Sequence, residues 1–504
     1  MKIRYTITIF ICLQFMPNDI KSQVERLGED IQYGFRLRGT SGGGDNAPFW
    51  FTNNQYGMGP LRNHTFQARA YIKRDAEVDS LRFWRIGYGA DVAAGYGNQS
   101  ELCIQQAFLD VEWKMLRLSM GQKQRTSELK NEELSTGGMT LGINARPLPQ
   151  VRLETPNFWT VPGTKGLFAI KAHIAYGIYT DNRWQRNWNA GSTNLYTQNS
   201  LYHSKALLMK IGNENKFPLT FKFGLEMACQ FGGKGYNEIG YTGERLEQGI
   251  SLGNNPIKAL VPGGLDVNDD AFSNAEGNHI GSWHIRMDWT GKDWGIGAYM
   301  DHLFEDHSQL GMQYGFWKDM LLGVEINLPK NPCLSTLVYE HIGTMNQSGP
   351  IYHDATPENT QQISANDSYY SNHVYGSWQH GGFVMGNPLI MSPMYNKYLG
   401  MEEGMLHIYF NRINAHHVGL KGNPTPWLSW RVLYTYEKNL GSYLRPVMDP
   451  LEGHFMLLEA CYKPKKLRGL GFSLAYGHNH GSLLGKANSA MLTVSFDGWI
   501  RKCN

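Results

Sequence analysis

The segment LTFKFGLEMACQF, residues 219–231, alternates between two kinds of side chain along its whole length. One face is apolar throughout and consists of Leu219, Phe221, Phe223, Leu225, Met227, Cys229 and Phe231. The other face is mixed and consists of Thr220, Lys222, Gly224, Glu226, Ala228 and Gln230. A period of two residues predicts a β-strand. At about 3.3 Å per residue, a tilted strand of this length can cross an outer-membrane bilayer.

Similar segments recur along the chain in pairs that are joined by short polar turns. SWHIRMDW and WGIGAYMDHLF flank the turn TGKD, and LLGVEINL and LSTLVYEH flank PKNP. Such pairs predict β-hairpins. The segments between Ile31 and Ile500 number roughly seventeen to nineteen, and closed bacterial barrels normally have an even number of strands. The predicted fold is therefore all-β, a transmembrane antiparallel β-barrel of about 18 strands that occupies residues 23–504. A soluble protein with several sheets is the alternative, but its strands are usually shorter.

The N-terminus has the pattern of an export signal. Lys2 and Arg4 precede an apolar run from Tyr5 to Met16, and a small residue, Ser22, follows. Residues 1–22 are therefore predicted to be a signal peptide, and the protein is expected in the outer membrane in contact with its lipid. The five cysteines after the predicted signal peptide are odd in number and widely spaced, so they predict neither a disulfide framework nor a zinc site.

The connections between the predicted strands are unequal in length. Short turns alternate with long stretches near residues 123–166, 181–200, 232–279 and 343–404. Outer-membrane barrels have short periplasmic turns and long extracellular loops. On this basis Asn213 and Thr290–Asp293 are predicted to face the periplasm, and Trp188 and Tyr370 to face the outside.

Two of the long loops combine aromatic rings with amide, hydroxyl and guanidinium groups. These are residues 180–200 and 364–382. Flat rings provide apolar contact and polar groups provide donors and acceptors, a mixture suited to sugars. The candidate saccharide-binding residues are Trp184, Trp188, Tyr369, Tyr370 and Trp378. The alternative is a hydrated loop whose aromatic residues pack on one another.

The segment GINARPLPQVRLE, residues 142–154, also alternates but contains two prolines. Pro147 and Pro149 each lack the N–H that a central strand would donate. The segment is therefore predicted to lie at the rim or against the inner wall, and not as a lipid-facing strand. Its polar face adds four candidate binding residues, Asn144, Arg146, Gln150 and Arg152. In the competing interpretation, Arg146 pairs with an acidic wall residue and holds a partial plug.

The longer stretch GGMTLGINARPLPQVRLETPNFW, residues 137–159, resembles the signature of the capsule assembly Wzi family. The matching positions are Asn144, Ala145, Arg146, Pro147 and Pro149. The resemblance implies a monomeric outer-membrane barrel with a lectin-like role, in which it binds and organises capsular or other surface polysaccharide.

Other functional classes have weaker support in the sequence. A formal net charge of +3 over 504 residues does not predict a nucleic-acid partner. LDVNDD at residues 265–270 lacks the glycine of a calcium loop, and GHNHGS at residues 477–482 has no recognisable carboxylate partner for a hydrolase site. No catalytic residue, metal or cofactor is therefore predicted. A porin or sugar-selective channel is the alternative function, and a barrel enzyme that acts on lipid or glycan is the third.

Overall fold

The computed structural model describes residues 26–79, 83–190, 195–236, 250–260, 277–305, 310–312, 315–329, 333–348, 367–402 and 404–502. The predicted signal peptide, residues 1–22, and the segment 265–270 lie outside these residues. Within them, 18 antiparallel strands form a closed barrel, which confirms the predicted fold class. The first strand closes the barrel by pairing with the last, from Ile31 opposite Ile500 to Gly44 opposite Ala487.

The strands of the barrel wall follow one another in chain order. They are β1 Ile31–Gly44, β2 Thr65–Arg74, β3 Trp84–Tyr96, β4 Leu102–Trp113, β5 Leu116–Gln122, β6 Pro149–Glu154, β7 Phe168–Ile178, β8 Leu201–Ile211, β9 Leu219–Phe231, β10 Asn278–Thr290, β11 Gly295–Glu305, β12 Met320–Asn327, β13 Thr336–Gly343, β14 Ile413–Thr425, β15 Leu428–Gly441, β16 Pro446–Tyr462, β17 Leu470–Gly481 and β18 Ala487–Ile500. Each pairs with its neighbours in the chain.

The remaining elements are short. The described residues contain two α-helices, α1 Phe49–Thr52 and α2 Asn182–Trp188, and four 3-10 helices. One 3-10 helix, Arg26–Gly28, precedes β1, and the others, Ala76–Asp79, Lys258–Leu260 and Pro393–Leu399, lie in connections between strands. Trp159–Thr160 pairs with β7, Tyr196–Gln198, Lys234–Tyr236 and Ile250–Ser251 form a small sheet, and Gln379–His380 pairs with Phe383–Val384. Among the described residues, no helix is both long and apolar enough to span a membrane.

The two ends of the barrel differ in their connections. Ile31 and Ile500 lie at one end, which we call the turn end because its connections are short, as at residues 114–115, 291–294 and 426–427. The opposite end, which we call the loop end, carries the long connections at residues 123–148, 179–200, 232–277 and 344–412. Asn213 and Thr290–Asp293 both lie at the turn end, which is the end predicted to face the periplasm.

The wall has an apolar outside and a polar inside. In β9, Phe223 and Leu225 point outward, whereas Lys222 forms an ion pair with Asp288 on the inner face of β10. An alternating strand with one apolar face against lipid is the pattern of a transmembrane barrel. The faces predicted for residues 219–231 are therefore those that the structure has.

The segment with two prolines departs from its prediction in part. Residues Pro149–Glu154 form a wall strand between β5 and β7, and Val151 and Leu153 are 54% and 44% exposed on the outside. The prediction that this part is not a lipid-facing strand is wrong. Pro149 is tolerated because it is the first residue of the strand. Residues 142–148, in contrast, lie inside the barrel as predicted.

The lumen contains a plug, formed by residues 46–60, 134–148 and 367–402. The ring of Phe49 stacks on the wall residue Phe455 at 4.4 Å between centroids. Glu340 in β13 accepts hydrogen bonds from the hydroxyl of Ser135 at 2.6 Å and the backbone N–H of Thr136 at 2.7 Å. Apolar plug residues such as Phe383, Leu389 and Ile390 are fully buried in the main hydrophobic core. The plug is thus held to the wall by both apolar packing and hydrogen bonds.

Candidate functional site

Three of the candidate binding residues line one cavity between the plug and the wall. Arg146 belongs to the plug, and Gln150 and Arg152 belong to the inner face of β6. The cavity has a volume of about 90 Å³. The strand period explains the arrangement, because alternate residues of β6 point inward after Pro149.

Asn144 supports this cavity from within the plug. Its side chain is fully buried, its Nδ2 donates to the carbonyl of Val384 at 3.1 Å, and its Oδ1 accepts from the N–H of Asn54 at 3.0 Å. Both polar atoms are therefore used to join two other plug segments. The position of Asn144 fixes the backbone from which Arg146 projects.

The cavity also contains residues that the sequence analysis missed, namely Tyr56, Lys123, Arg125, Tyr202 and Glu226. Lys123 and Arg125 follow β5, and they continue its alternation from Arg117, Ser119 and Gly121. That continuation was a usable signal. Tyr202 and Glu226 belong to separate strands, and only closure of the barrel brings them to the cavity.

Most charges at the cavity are paired. Lys123 forms an ion pair with Asp110, Arg152 with Glu154, and Glu128 with Lys171. Arg125 and Arg146 differ, because neither forms an ion pair with a carboxylate of the described residues. The interpretation that Arg146 holds the plug through an acidic wall residue therefore has no support in the described part of the chain.

The two unpaired guanidinium groups have different surroundings. Arg125 donates from Nη1 to the carbonyl of Lys123 at 3.2 Å and from Nη2 to the hydroxyl of Ser119 at 2.9 Å. Burial, together with the nearby cation of Arg152, lowers the pKa of Arg125 to about 10, so the group stays charged at neutral pH. Arg146 is only partly buried, and the thiol of Cys103 lies beside it.

The candidate tryptophans form a second group at the loop end. Trp184 and Trp188 lie on α2, are partly exposed and stack with their centroids 5.3 Å apart. Trp188 also donates from Nε1 to the carbonyl of Met405 at 3.2 Å. A stacked and partly exposed pair of indole rings is a surface on which a sugar ring can pack.

The three remaining candidates lie inside the plug. Tyr369, Tyr370 and Trp378 are at most 1% exposed. Tyr370 donates its hydroxyl hydrogen to the carbonyl of Met139, and Trp378 donates from Nε1 to the carbonyl of Thr140 at 2.9 Å. The prediction that Tyr370 faces the outside is therefore wrong, because its loop folds into the lumen. These three side chains hold plug segments together.

No three His, Cys, Asp or Glu side chains of the described residues cluster as metal ligands would. His478 belongs to the motif considered for a hydrolase. It contacts Asn488 on the neighbouring strand, with 2.6 Å between Nδ1 of His478 and Oδ1 of Asn488.

The closed barrel with an apolar outer face and a polar inner face defines a transmembrane β-barrel of the outer-membrane class. Among solved structures, the chain is similar to Wzi of Escherichia coli, described as a carbohydrate-binding β-barrel involved in group 1 capsule assembly. That match has 11% identity and a TM-score of 0.52, and it covers 95% of this chain and 86% of the other.

Two barrels of Pseudomonas aeruginosa also match. OprD has 9% identity and a TM-score of 0.44 over 94% of this chain and 95% of the other. OccK2, solved in complex with glucuronate, has 9% identity and a TM-score of 0.46 over 94% and 98%. No protein-family model and no curated protein matches the sequence. At these identities, the similarity to Wzi shows the fold.

Proposed function

We propose that this protein is a non-enzymatic surface protein of the outer membrane that binds and organises capsular or other surface polysaccharide. The observation that carries this proposal is the plug. An empty barrel of this size would leave an aqueous channel, whereas plug residues such as Phe383 and Leu389 are fully buried in the lumen. A filled lumen favours binding over conduction.

The stacked pair of Trp184 and Trp188 supports a saccharide ligand, since it offers an apolar surface at the loop end. The resemblance of residues 137–159 to the Wzi family signature supports the same ligand class. In this proposal the signal peptide directs export, and the protein acts as a monomer surrounded by outer-membrane lipid.

A sugar-selective channel is the second candidate. It is favoured by charged side chains on the inner wall that remain partly exposed, such as Arg117 and Lys123. Such groups are typical of a hydrated lumen. This candidate requires a continuous path past the plug.

Two measurements separate the candidates. In the first, surface polysaccharide is purified from cells that express the protein, and its retention by the refolded full chain is measured. Trp184→Ala and Trp188→Ala are expected to reduce retention at least severalfold, because each removes part of the stacking surface. Trp294→Ala is the matched control, since Trp294 is exposed at the turn end.

The second measurement is ion conductance in planar bilayers. We expect the protein to lack the large, steady current steps of an open porin. The channel would be supported over the binding function by two results together. These are steady open-channel currents that saccharides block, and retention that is equal in all three tryptophan variants.

A further inference from the structure

We propose that the cavity beside Arg125 and Arg146 binds an anionic group carried on a saccharide, either a carboxylate or a phosphate. This inference rests on the proposed function for the identity of the ligand as a saccharide. It adds the charge of that ligand and a place for it inside the barrel.

The charges at the cavity do not balance. Lys123, Arg152 and Glu128 are each neutralised by a partner in an ion pair. Glu226 lies with its Oε2 3.6 Å from Nε2 of His284. That oxygen has no hydrogen-bond partner among the described residues, so Glu226 counts as one carboxylate of the cavity that is not closely paired. The guanidinium groups of Arg125 and Arg146 are two cations without a carboxylate partner in the described part of the chain, so the cavity keeps an excess of positive charge.

Two guanidinium donors at the cavity lack acceptors in the described part of the chain. The Nε atoms of Arg125 and Arg146 are both buried and have no hydrogen-bond acceptor among the described residues. A buried donor without an acceptor is costly, and a buried charge without a partner more so. An oxyanion supplies what both groups lack, because guanidinium binds carboxylate and phosphate through parallel N–H donors.

The cavity also contains an acceptor suited to a sugar hydroxyl. The Oε1 atom of Gln150 is also buried and has no donor among the described residues. A saccharide brings hydroxyl hydrogens together with its anionic group. Gln150 can therefore accept from the same ligand whose anion the arginines bind.

The size of the cavity limits what can enter it. A buried water needs about 10–15 Å³ of such volume, so a cavity of about 90 Å³ holds several waters or one small group. It does not hold a folded length of polymer. We infer that an acidic side group or terminal residue inserts while the rest of the polysaccharide stays outside.

The inference is tested by calorimetric titration of the refolded full chain at low salt. The probes are glucuronate for the carboxylate, glucose 6-phosphate for the phosphate and glucose as the neutral sugar. We expect at least one anionic sugar to bind, glucose to bind more than tenfold more weakly, and affinity to fall with added salt. Binding of only one anionic sugar supports the site and identifies the group.

Arg146→Gln and Arg125→Gln are expected to weaken binding at least tenfold. The matched control is Arg468→Gln, because Arg468 is exposed at the turn end, away from the cavity and from α2. The heat-modifiable mobility of the folded barrel is measured for each variant. If Arg125→Gln does not fold, Arg125→Lys keeps the charge and loses the planar fork, and we expect it to bind with intermediate affinity.

Equal binding of glucose and the anions, or unchanged affinity in a folded Arg146→Gln variant, would overturn the inference. The proposed function fails separately, through unchanged retention in the Trp184 and Trp188 variants. A protein that retains polysaccharide through the tryptophans but binds no anionic sugar keeps its function and loses this site.

Discussion

His380 in the plug forms two hydrogen bonds through its neutral ring, and one of them holds the backbone of Arg146 at the candidate site. Its Nδ1 donates to the carbonyl of Arg146 at 2.9 Å, and its Nε2 accepts from the hydroxyl of Thr180 at 3.0 Å. Burial lowers its pKa, with Arg146 contributing to the decrease and Asp181 opposing it. The backbone that carries Arg146 is thus held by a histidine that is folded in its uncharged form.

This arrangement predicts that acid destabilises the plug. An unfolded histidine titrates near pH 6.5, while burial lowers the pKa of His407 in the same connection to about 4. Between these values the unfolded chain binds more protons than the folded chain, so the free energy of unfolding falls as pH decreases below about 6.5. The urea midpoint, followed by tryptophan fluorescence in detergent, should be lower at pH 5 than at pH 7.5.

His380→Gln is expected to reduce this dependence, because an amide can make both hydrogen bonds without titrating. An equal pH dependence of the midpoint in the natural sequence and in a folded His380→Gln variant would contradict the assignment of a neutral His380.

At the level of single residues, the sequence predicted part of the site. The alternation around Pro149 was sufficient to group Gln150 and Arg152. Burial of Tyr370 was not predictable from the composition of its loop, because aromatic and amide residues suit a surface loop and a packed plug equally well. The distinction depends on contacts such as that with Met139, which is distant in sequence.

Among the elements, β6 shows where local rules are insufficient. Two prolines argue against a strand, but Pro147 precedes the strand and Pro149 begins it. The strand is short, and Trp159–Thr160 pairs with the same neighbour, β7, farther toward the turn end. The position of a proline within an element therefore matters more than its presence, and that position depends on where pairing begins.

The strand β9 provides a test of the wall. Phe223→Arg is expected to destabilise the barrel by about 2–4 kcal/mol, because it places a charge on the lipid face near the middle of the membrane. Lys222→Gln is the control and is expected to cost less, since this side chain points inward and Asp288 keeps its second ion-pair partner, Arg286. The measurement is urea unfolding in lipid vesicles. Equal losses for both variants would mean that the two faces are equally buried, as in a soluble sandwich.

In the whole molecule, the barrel was predictable and its plug was not. The alternation of apolar and polar side chains is a local property that is present in every hairpin, so about eighteen strands could be counted. The inward folding of the loops depends on contacts between distant segments. The apolar sequence FVMGNPLIMSPMY, residues 383–395, is fully or nearly fully buried and was the available signal. Such a run is unusual in an exposed loop.

Orientation in the membrane is predicted from the two ends. In intact cells, a membrane-impermeant maleimide should label Arg186→Cys on α2 and leave Lys292→Cys unlabelled until the cells are opened. Cys333 is exposed at the turn end and is replaced by serine in both variants. Labelling of Lys292→Cys alone in intact cells would show that the turn end faces outward.

The pairing of β1 with β18 also brings the beginning and the end of the described chain together. The N–H of Asp30 donates to the carbonyl of Arg501 at 3.1 Å, so the ladder continues past both strands. Proteins whose termini are adjacent often tolerate circular permutation. A short linker between these residues, with new termini cut at the exposed turn of residues 443–445, would keep every pair of neighbouring wall strands. The pairing of β1 with β18 is then equivalent to the pairing of any other two neighbouring strands, and the architecture of the barrel does not depend on which strand comes first in the chain.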